Sequence, residues 1–252
     1  MFLPPEEIRD VKELPVFVWN DVLLPFVKPD QIIHITELKY TQMLRDIEFS
    51  NRLFGISFDG LTDAATGLPY VNSIGCIARL LECNTFSSGD SNIKVEGLAR
   101  YRIVKYLETQ KPYPVAEIEF FEEENEKYHH RESPFRESLK ANELEVTTSI
   151  TCQTAQRVLS KIFLALGKED FEVPLFSPSD PVAFSFFVSS LFRFDSSDRL
   201  HLLNSPDPID RLDFIIEWLE EFEEGVEENI ERKKFLNPFL KLENNKNKPN
   251  LS

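Results

Sequence analysis

Three features that define common classes of protein are missing or scarce in this chain of 252 residues. The first is a long apolar run. None approaches the roughly 20 residues that a membrane-spanning helix needs, so we expect no membrane segment. The first residues, MFLPPEEIRD, are acidic where a signal or transit peptide is basic, and no apolar segment follows them. We therefore expect the mature chain to begin at or near Met1.

Clusters of basic residues are the second missing feature. The chain has 28 Lys and Arg against 43 Asp and Glu, a formal net charge of −15. Proteins bind nucleic-acid backbones with clustered Lys and Arg, so we expect no nucleic-acid partner. Asp210–Glu231 holds ten of the acids and only one base, Arg211. Such a run usually forms a solvated helix face, and a docking surface for a basic partner is the second interpretation.

Cysteine is the third scarce feature. Cys76, Cys83 and Cys152 are odd in number, far apart and surrounded by apolar residues. Disulfide frameworks usually need an even count, and zinc sites usually show CxxC pairs. We therefore predict three buried thiols in a reducing compartment and no metal site.

Catalytic motifs are absent from the sequence as well. It contains no GxSxG, no HExxH and no GxxxxGK[ST], which would mark a serine hydrolase, a zinc peptidase and a phosphate-binding loop. We predict no catalytic residue and no cofactor. An uncharacterised hydrolase that depends on Ser88, His34 or Cys76 stays open as the last alternative.

What the sequence does contain is a β-rich half followed by a helical half. The predicted strands are short apolar segments bounded by turn residues. They are Leu14–Trp19, Val22–Phe26, Gln31–Ile35, Phe54–Phe58, Ile74–Leu81, Asn92–Glu96, Ala99–Tyr106 and Val115–Phe121. Gly97 predicts a bend or bulge between two of them. One helix is predicted within this half, over Thr36–Glu48, with Thr36 as N-cap and with Leu38, Met43, Leu44 and Ile47 on one apolar face.

The helical half begins after an acidic linker near residues 122–132. We predict a long helix over Phe135–Leu166, a second from Pro181 to Phe192, a short one ending near Asn204, and a last one after Pro208. The predicted domains are residues 1–123, a β-barrel-like subdomain, residues 133–235, a helical subdomain, and residues 236–252, a disordered tail.

Aromatic residues are abundant, with 22 Phe in the chain. We assign most of them to cores, including Phe163, Phe184 and Phe187 on helix faces. The expected exceptions stand near strand ends, where they form part of a groove for apolar peptide segments. These are Phe17, Trp19, Phe26 and Phe54. An accessible strand edge of the barrel would also let an extended peptide add a strand.

Several motifs in order resemble the N-terminal substrate-binding domain of Lon proteases. That family shows an LPLFPL-type strand, VLFPG, LHIFEPRYRQML, RRFGVV, VGCVARI, VEGLRRFRI and PYLVAEVE. The matching residues are Leu14–Phe17, Val22–Pro25, His34–Tyr40 with Gln42–Leu44, Arg52–Gly55, Ile74–Ala78, Val95–Gly97 with Arg102, and Tyr113–Glu117. The match spans about residues 14–123. More loosely, the helical half is similar to stand-alone Lon-domain proteins of the cyanobacterial and plastid type.

The resemblance implies an α+β fold, a PUA-like β-pseudobarrel of about six strands and one short helix, followed by an α-helical bundle. It implies a non-catalytic role in binding unfolded or extended polypeptide clients, in company with a protease or chaperone, without ATPase or protease domains. The expected compartment is the cytoplasm, or the plastid stroma if an alga encodes the protein. Because PUA-like barrels elsewhere bind RNA, an RNA-associated module is the alternative.

The chain departs from the family pattern between Phe26 and Tyr40, where Phe26-Val27 replaces the Gly after FP and Thr36–Tyr40 loses the Phe and Pro of FEPRY. We expect its specificity to differ there. The predicted peptide contacts are Phe17, Trp19, Phe26, Glu37, Tyr40 and Phe54.

Overall fold

A computed structural model of the chain describes residues 6–26, 32–121, 134–165, 180–192 and 194–226. The chain divides into two compact units. Residues 1–131 and 195–207 make the first unit, the sheet unit, and residues 132–194 and 208–252 make the second, the helical unit. The predicted linker near residues 122–132 and the predicted tail at 236–252 lie outside the described residues.

The sheet unit is built on one sheet of six strands in the order β2-β5-β4-β3-β1-β6. The strands are β1 (Glu13–Trp19), β2 (Ile33–Ile35), β3 (Leu53–Phe58), β4 (Ile74–Thr85), β5 (Ser91–Tyr106) and β6 (Val115–Phe120). β5 also pairs with β6, which closes the sheet into a barrel, and β2 extends it along the other part of β5. Only β1 and β3 pair in parallel. The predicted α+β class with a barrel-like sheet is confirmed.

Between β2 and β3 the chain forms helix α1, Leu38–Glu48, close to the predicted span. Thr36 was the predicted N-cap, but Glu37 occupies that position and makes no side-chain capping bond. Short 3₁₀ turns lie at Glu6–Ile8 and Asp59–Leu61. The prediction of a strand over Val22–Phe26 is wrong. Pro25 has no N–H for a ladder, and Phe26 has a left-handed backbone with φ of 62°, so the segment turns instead.

Tyr101 on β5 fills the interior of the barrel. It is fully buried, and its hydroxyl shares a 2.8 Å hydrogen bond with that of Ser57 on β3. A Cβ added at Gly55 would lie 2.5 Å from the Tyr101 hydroxyl oxygen, and one at Gly75 would lie 2.7 Å from the ring. Two glycines on neighbouring strands therefore create the space for one large ring.

The predicted bend at Gly97 is a bulge inside one continuous strand. Gly97 pairs with Ala78 and Ala99 pairs with Ile77, which leaves Leu98 as the extra residue. A Cβ at Gly97 would lie 2.1 Å from the Leu24 carbonyl oxygen. The N–H of Phe26 donates to the Gly97 carbonyl at 2.8 Å. The glycine thus allows the 22–26 segment to lie directly on the barrel wall.

A distant piece of chain completes the sheet unit. Helix α4 in chain order, Ser196–Asn204, belongs to it, whereas the predicted domain boundaries put this segment in the helical part. The buried Arg100 guanidinium on β5 donates to the carbonyls of Leu203 at 2.9 Å and Ser205 at 2.6 Å. At the other end Ser196 donates to Asp21 at 2.9 Å, and Arg199 forms an ion pair with the same carboxylate.

The helical unit contains α2 (Pro134–Ala165), α3 (Pro181–Leu191) and α5 (Pro208–Val226). Asp180 caps α3 through bonds to the N–H groups of Val182 and Ala183. Phe163 and Phe184 are buried as predicted, but Phe187 is 42% exposed. Most acids of α5 are exposed, but Glu223 is largely covered and pairs with Arg157 at 3.0 Å and Lys161 at 2.6 Å. Arg211, the base within this helix, is fully buried. The predicted solvated acidic face is therefore present over the described part of this run.

Candidate functional site

Most of the aromatic residues predicted to contact peptide lie in the core of the sheet unit. The exposed fraction is 5% for Phe17, 8% for Trp19, 2% for Tyr40 and 0% for Phe54. Phe26 is half-buried. The expectation that aromatics near strand ends escape the core is wrong for Phe17, Trp19 and Phe54. Glu37, in contrast, is exposed and forms an ion pair with Lys39 at 3.0 Å.

Helix α1 explains the burial of this end of β1. The Tyr40 ring stands edge-on to Phe17, with ring centroids 4.7 Å apart. The Val18 N–H donates to the Tyr40 hydroxyl oxygen at 3.3 Å. Burial raises the pKa of Tyr40, so its hydroxyl stays neutral at physiological pH. Tyr40 therefore anchors α1 on β1.

A second anchor lies near the other end of α1. The Asp46 carboxylate accepts from Lys111 Nζ at 2.5 Å, Tyr113 hydroxyl at 2.6 Å and Gln42 Nε2 at 2.9 Å. The bond from Lys111 and then that from Tyr113 lower the pKa of Asp46 to about 2. The cluster fixes α1 to the β5–β6 connection, so the helix presents a defined face outward.

The outward face of α1 is unusual because both of its ends are apolar. Leu38 is 82% exposed and Phe49, the C-cap residue, is 90% exposed; no other large apolar side chain in the described part of the chain is as exposed. At about 100° per residue, Leu38, Gln42, Arg45 and Phe49 follow one another along a single stripe. We call these four residues the α1 stripe.

The predicted apolar face of α1 was wrong in one member. Met43, Leu44 and Ile47 are buried as predicted, but Leu38 is not. Nine residues separate Leu38 from Ile47, which places them about 180° apart around the helix. This angle was visible in the sequence and shows that Leu38 and Ile47 cannot share one buried face. Phe49, one residue beyond the predicted helix, was missed altogether.

Arginine accompanies the apolar residues of the stripe. Arg45 lies within it, and Arg52 follows three residues after Phe49; both are exposed. Among the described residues neither guanidinium has an ion-pair partner. The nearby acids are engaged or turned aside. Asp46 is held by Lys111, Glu37 by Lys39, and Glu48 projects about 80° around the helix from the stripe.

The three residues on which the hydrolase alternative depends, Ser88, His34 and Cys76, lie in different environments. Ser88 donates to Asp90 at 2.9 Å in the β4–β5 turn, and His34 Nδ1 bonds Asn92 at 2.7 Å on β2. Cys76 is buried in β4, and burial raises the pKa of its thiol, which disfavours the nucleophilic thiolate. No contact joins these three in the described structure.

The described residues contain neither a metal-binding cluster nor a membrane-spanning helix. No group of three or more His, Cys, Asp or Glu there could hold a metal ion. None of the described helices is both long and apolar enough to cross a bilayer. All three cysteines are free; Cys76 and Cys152 are buried as predicted, whereas Cys83 is half-buried.

Solved structures with the same architecture come from Lon proteins. A crystal structure of a Lon N-terminal domain protein from Xanthomonas campestris is 17% identical, with a TM-score of 0.50, and the match covers 82% of this chain and 99% of that one. The N-terminal domain of a Lon protease of the Mycobacterium avium complex is 16% identical, with a TM-score of 0.56, and covers 83% and 99%. At this identity the likeness concerns the fold. No curated protein matches the chain by sequence.

A mixed six-stranded barrel with an inserted helix, followed by a helical unit, thus defines the class as one with the fold of Lon N-terminal domains. Residues 13–221 match the family described as the ATP-dependent protease La (LON) substrate-binding domain. Because the match covers most of the sequence, the chain belongs to that family.

Proposed function

We propose that this protein binds unfolded or extended polypeptide through the α1 stripe and performs no chemistry of its own. The observation that carries the proposal is the exposure of Leu38 and Phe49 on one anchored helix face. Family membership supports the same function, since the family is described as substrate-binding. The sequence offers no catalytic motif that would add a reaction.

The stripe suits weak, sequence-tolerant binding. Fully burying one Leu or Phe side chain stabilises a complex by about 1.5–3 kcal/mol before the ordering of the ligand is subtracted. Two such contacts give transient binding, which fits a protein that must release its clients. Tyr40 and Asp46 hold the helix, so little ordering of the protein itself opposes binding.

The residues predicted from sequence have different parts in this proposal. Phe17, Trp19 and Phe54 are buried in the sheet unit, and Tyr40 packs on Phe17 from α1, so we assign none of the four a direct peptide contact. Glu37 is exposed and directly precedes Leu38, and Phe26 is half-buried at the end of the 22–26 segment on the barrel wall. We assign them secondary contacts.

The cellular role that we propose is that of an adaptor, holdase or assembly factor that works with a protease or chaperone. We place it with the stand-alone proteins of the cyanobacterial and plastid type, in the cytoplasm or in the plastid stroma. The net charge of −15 argues against the RNA-associated alternative.

A binding assay with an unfolded client tests the proposal. Fluorescence anisotropy of a labelled, permanently unfolded polypeptide would be measured with the full chain, with Leu38→Ser/Phe49→Ser and with Phe86→Ser. Phe86 is the matched control, since it is 48% exposed but lies in the β4–β5 turn. We expect the double variant to lose at least tenfold in affinity, about the value of one buried apolar side chain, and the control to bind normally. Equal binding by all three proteins would refute the proposed surface.

A further inference from the structure

The two arginines beside Phe49 carry information about the ligand that the apolar residues do not. The protein as a whole is strongly acidic, with a net charge of −15. In the sheet unit most exposed bases are paired, as in Lys94–Glu82 at 2.9 Å and Lys105–Glu117 at 2.9 Å. Arg45 and Arg52 have no such partner among the described residues. Two exposed cations without an ion-pair partner among the described residues thus lie close in sequence to Phe49, the most exposed apolar side chain, while a third, Lys12, lies on another part of the sheet unit.

We propose that the α1 stripe selects polypeptide segments in which apolar residues alternate with Asp or Glu, because Arg45 and Arg52 supply the charge that an acidic ligand complements. This inference rests on the proposed function and names the class of client that the same surface takes. Charge complementarity contributes more to specificity than to affinity at a surface of this kind.

The spacing of the stripe defines the ligand further. Leu38 and Phe49 are 11 residues apart on the helix, which places their Cα atoms about 16 Å apart. An extended peptide covers that distance with about five residues, at roughly 3.3 Å per residue. Arg45 lies between the two apolar ends, nearer to Phe49. The matching segment therefore has two large apolar residues about five positions apart and a carboxylate between them.

The overall negative charge does not cancel this preference. Screening limits charge interactions between exposed groups to about 8 Å at physiological ionic strength. A carboxylate in contact with Arg45 therefore responds mainly to the arginines next to it. A ligand with lysine in place of the acidic residue would instead be repelled by the same arginines.

Three short labelled peptides test the inference. All have Leu and Phe about five residues apart, the length that spans the stripe. They differ only in the intervening residues, which are Glu-rich, Ser-rich or Lys-rich. Dissociation constants would be measured by anisotropy with the full chain, Arg45→Glu and Lys12→Glu. Lys12 is the matched control, because it is exposed, has no ion-pair partner among the described residues and changes the net charge equally.

We expect the unmodified chain to prefer the Glu-rich peptide over the Ser-rich one by about threefold to tenfold, and the Lys-rich peptide to bind weakest. Arg45→Glu should reverse the order, while Lys12→Glu should leave it unchanged. Equal binding of the three peptides, or an order that Arg45→Glu does not alter, would overturn the inference and leave the proposed function standing. If none of the peptides binds the unmodified chain, the proposed function fails at this surface and the inference with it.

Discussion

Among the described residues, each of the two units buries one arginine, and the two arginines connect different parts of the chain. Arg100 in the sheet unit lies 4.4 Å over the Phe121 ring and bonds two main-chain carbonyls more than a hundred residues away. Arg211 in the helical unit lies 4.5 Å over the Phe186 ring and donates to Ser185, 26 residues away, at 3.0 Å. Both use the same combination of aromatic face and hydrogen bond. Arg100, however, connects β5 to a segment more than a hundred residues away, whereas Arg211 connects α5 to α3, only 26 residues away.

The two tryptophans of the chain make this comparison measurable. Trp19 lies in β1 of the sheet unit, and Trp218 stacks on Phe222 in α5 with centroids 5.1 Å apart. Variants that retain one tryptophan and carry Phe at the other position report the unfolding of one unit at a time. The predictions below are stated for these single-tryptophan backgrounds, because each concerns the sheet unit alone.

The largest expected effect comes from Arg100→Met. The change leaves the carbonyls of Leu203 and Ser205 without their donor inside a buried site, which costs about 1–3 kcal/mol for each group. We expect the Trp19 transition to lose about 3 kcal/mol in urea, and the Trp218 transition to stay in place. Arg102→Met is the control, since Arg102 is on the same strand, is only half-buried, and its 3.2 Å pair with the exposed Glu119 is worth little. A similar loss in both transitions would show that the buried arginine does not act within one unit.

A middle effect is expected from Gly55→Ala. The new methyl group would meet the Tyr101 hydroxyl at 2.5 Å, and overpacking of this kind costs about 1–3 kcal/mol. Tyr101→Leu removes the hydroxyl and the ring carbons that a new Cβ would meet at 2.7 and 2.9 Å, so Gly55→Ala should cost less in that background than in the unmodified one. The double-mutant cycle is followed by Trp19 fluorescence in urea. Strict additivity of the two changes would contradict the proposed role of glycine in admitting the ring.

The smallest effect concerns Asp46→Asn and depends on pH. Its folded-state pKa of about 2 lies below the ordinary value of 3.8. A lowered pKa means that the contribution is fully present above about pH 4 and is lost as the pH falls through about 2. Because the carboxylate is partly exposed, we expect only about 1 kcal/mol. The Trp19 transition of Asp46→Asn should therefore be less stable at pH 6 and nearly unchanged at pH 2. An equal deficit at both values would assign the effect to packing.

Much of the fold was predictable because local signals and tertiary structure agree. Ile74–Leu81 is a nearly continuous apolar run, interrupted by Arg79, and forms a strand covered on both faces. Asp180-Pro181 begins a helix in the expected way. The Gly97 bend was also predictable, since few other residues allow a bulge to approach a carbonyl so closely. The residues at which strands end were less predictable. β4 continues to Thr85 because β5 pairs with it that far, which no property of residues 82–85 reveals.

The candidate site was harder to predict than the fold. An aromatic residue near a strand end is buried or exposed according to what covers it, and the covering helix here is α1 through Tyr40. Leu38 and Phe49 show the opposite outcome. Their side chains are of the kind that usually fills a core, yet both face solvent. The assignment of residues 195–207 to the sheet unit depends on Arg100 and Asp21, whose partners lie far along the chain. Sequence spacing carries no information about such pairs.

The long sequence separation between Arg100 and its acceptors also determines when the sheet unit can finish folding during synthesis. Ser205 is 105 residues downstream of Arg100, so the ribosome needs roughly 5 to 20 s to produce the carbonyl that Arg100 requires. The last barrel strand is complete once Phe120 has been made, early in that interval, and from then on the Arg100 guanidinium has no acceptors from residues 203 and 205. The nascent sheet unit is therefore itself an incompletely folded polypeptide for seconds, until residues 195–207 have been synthesised.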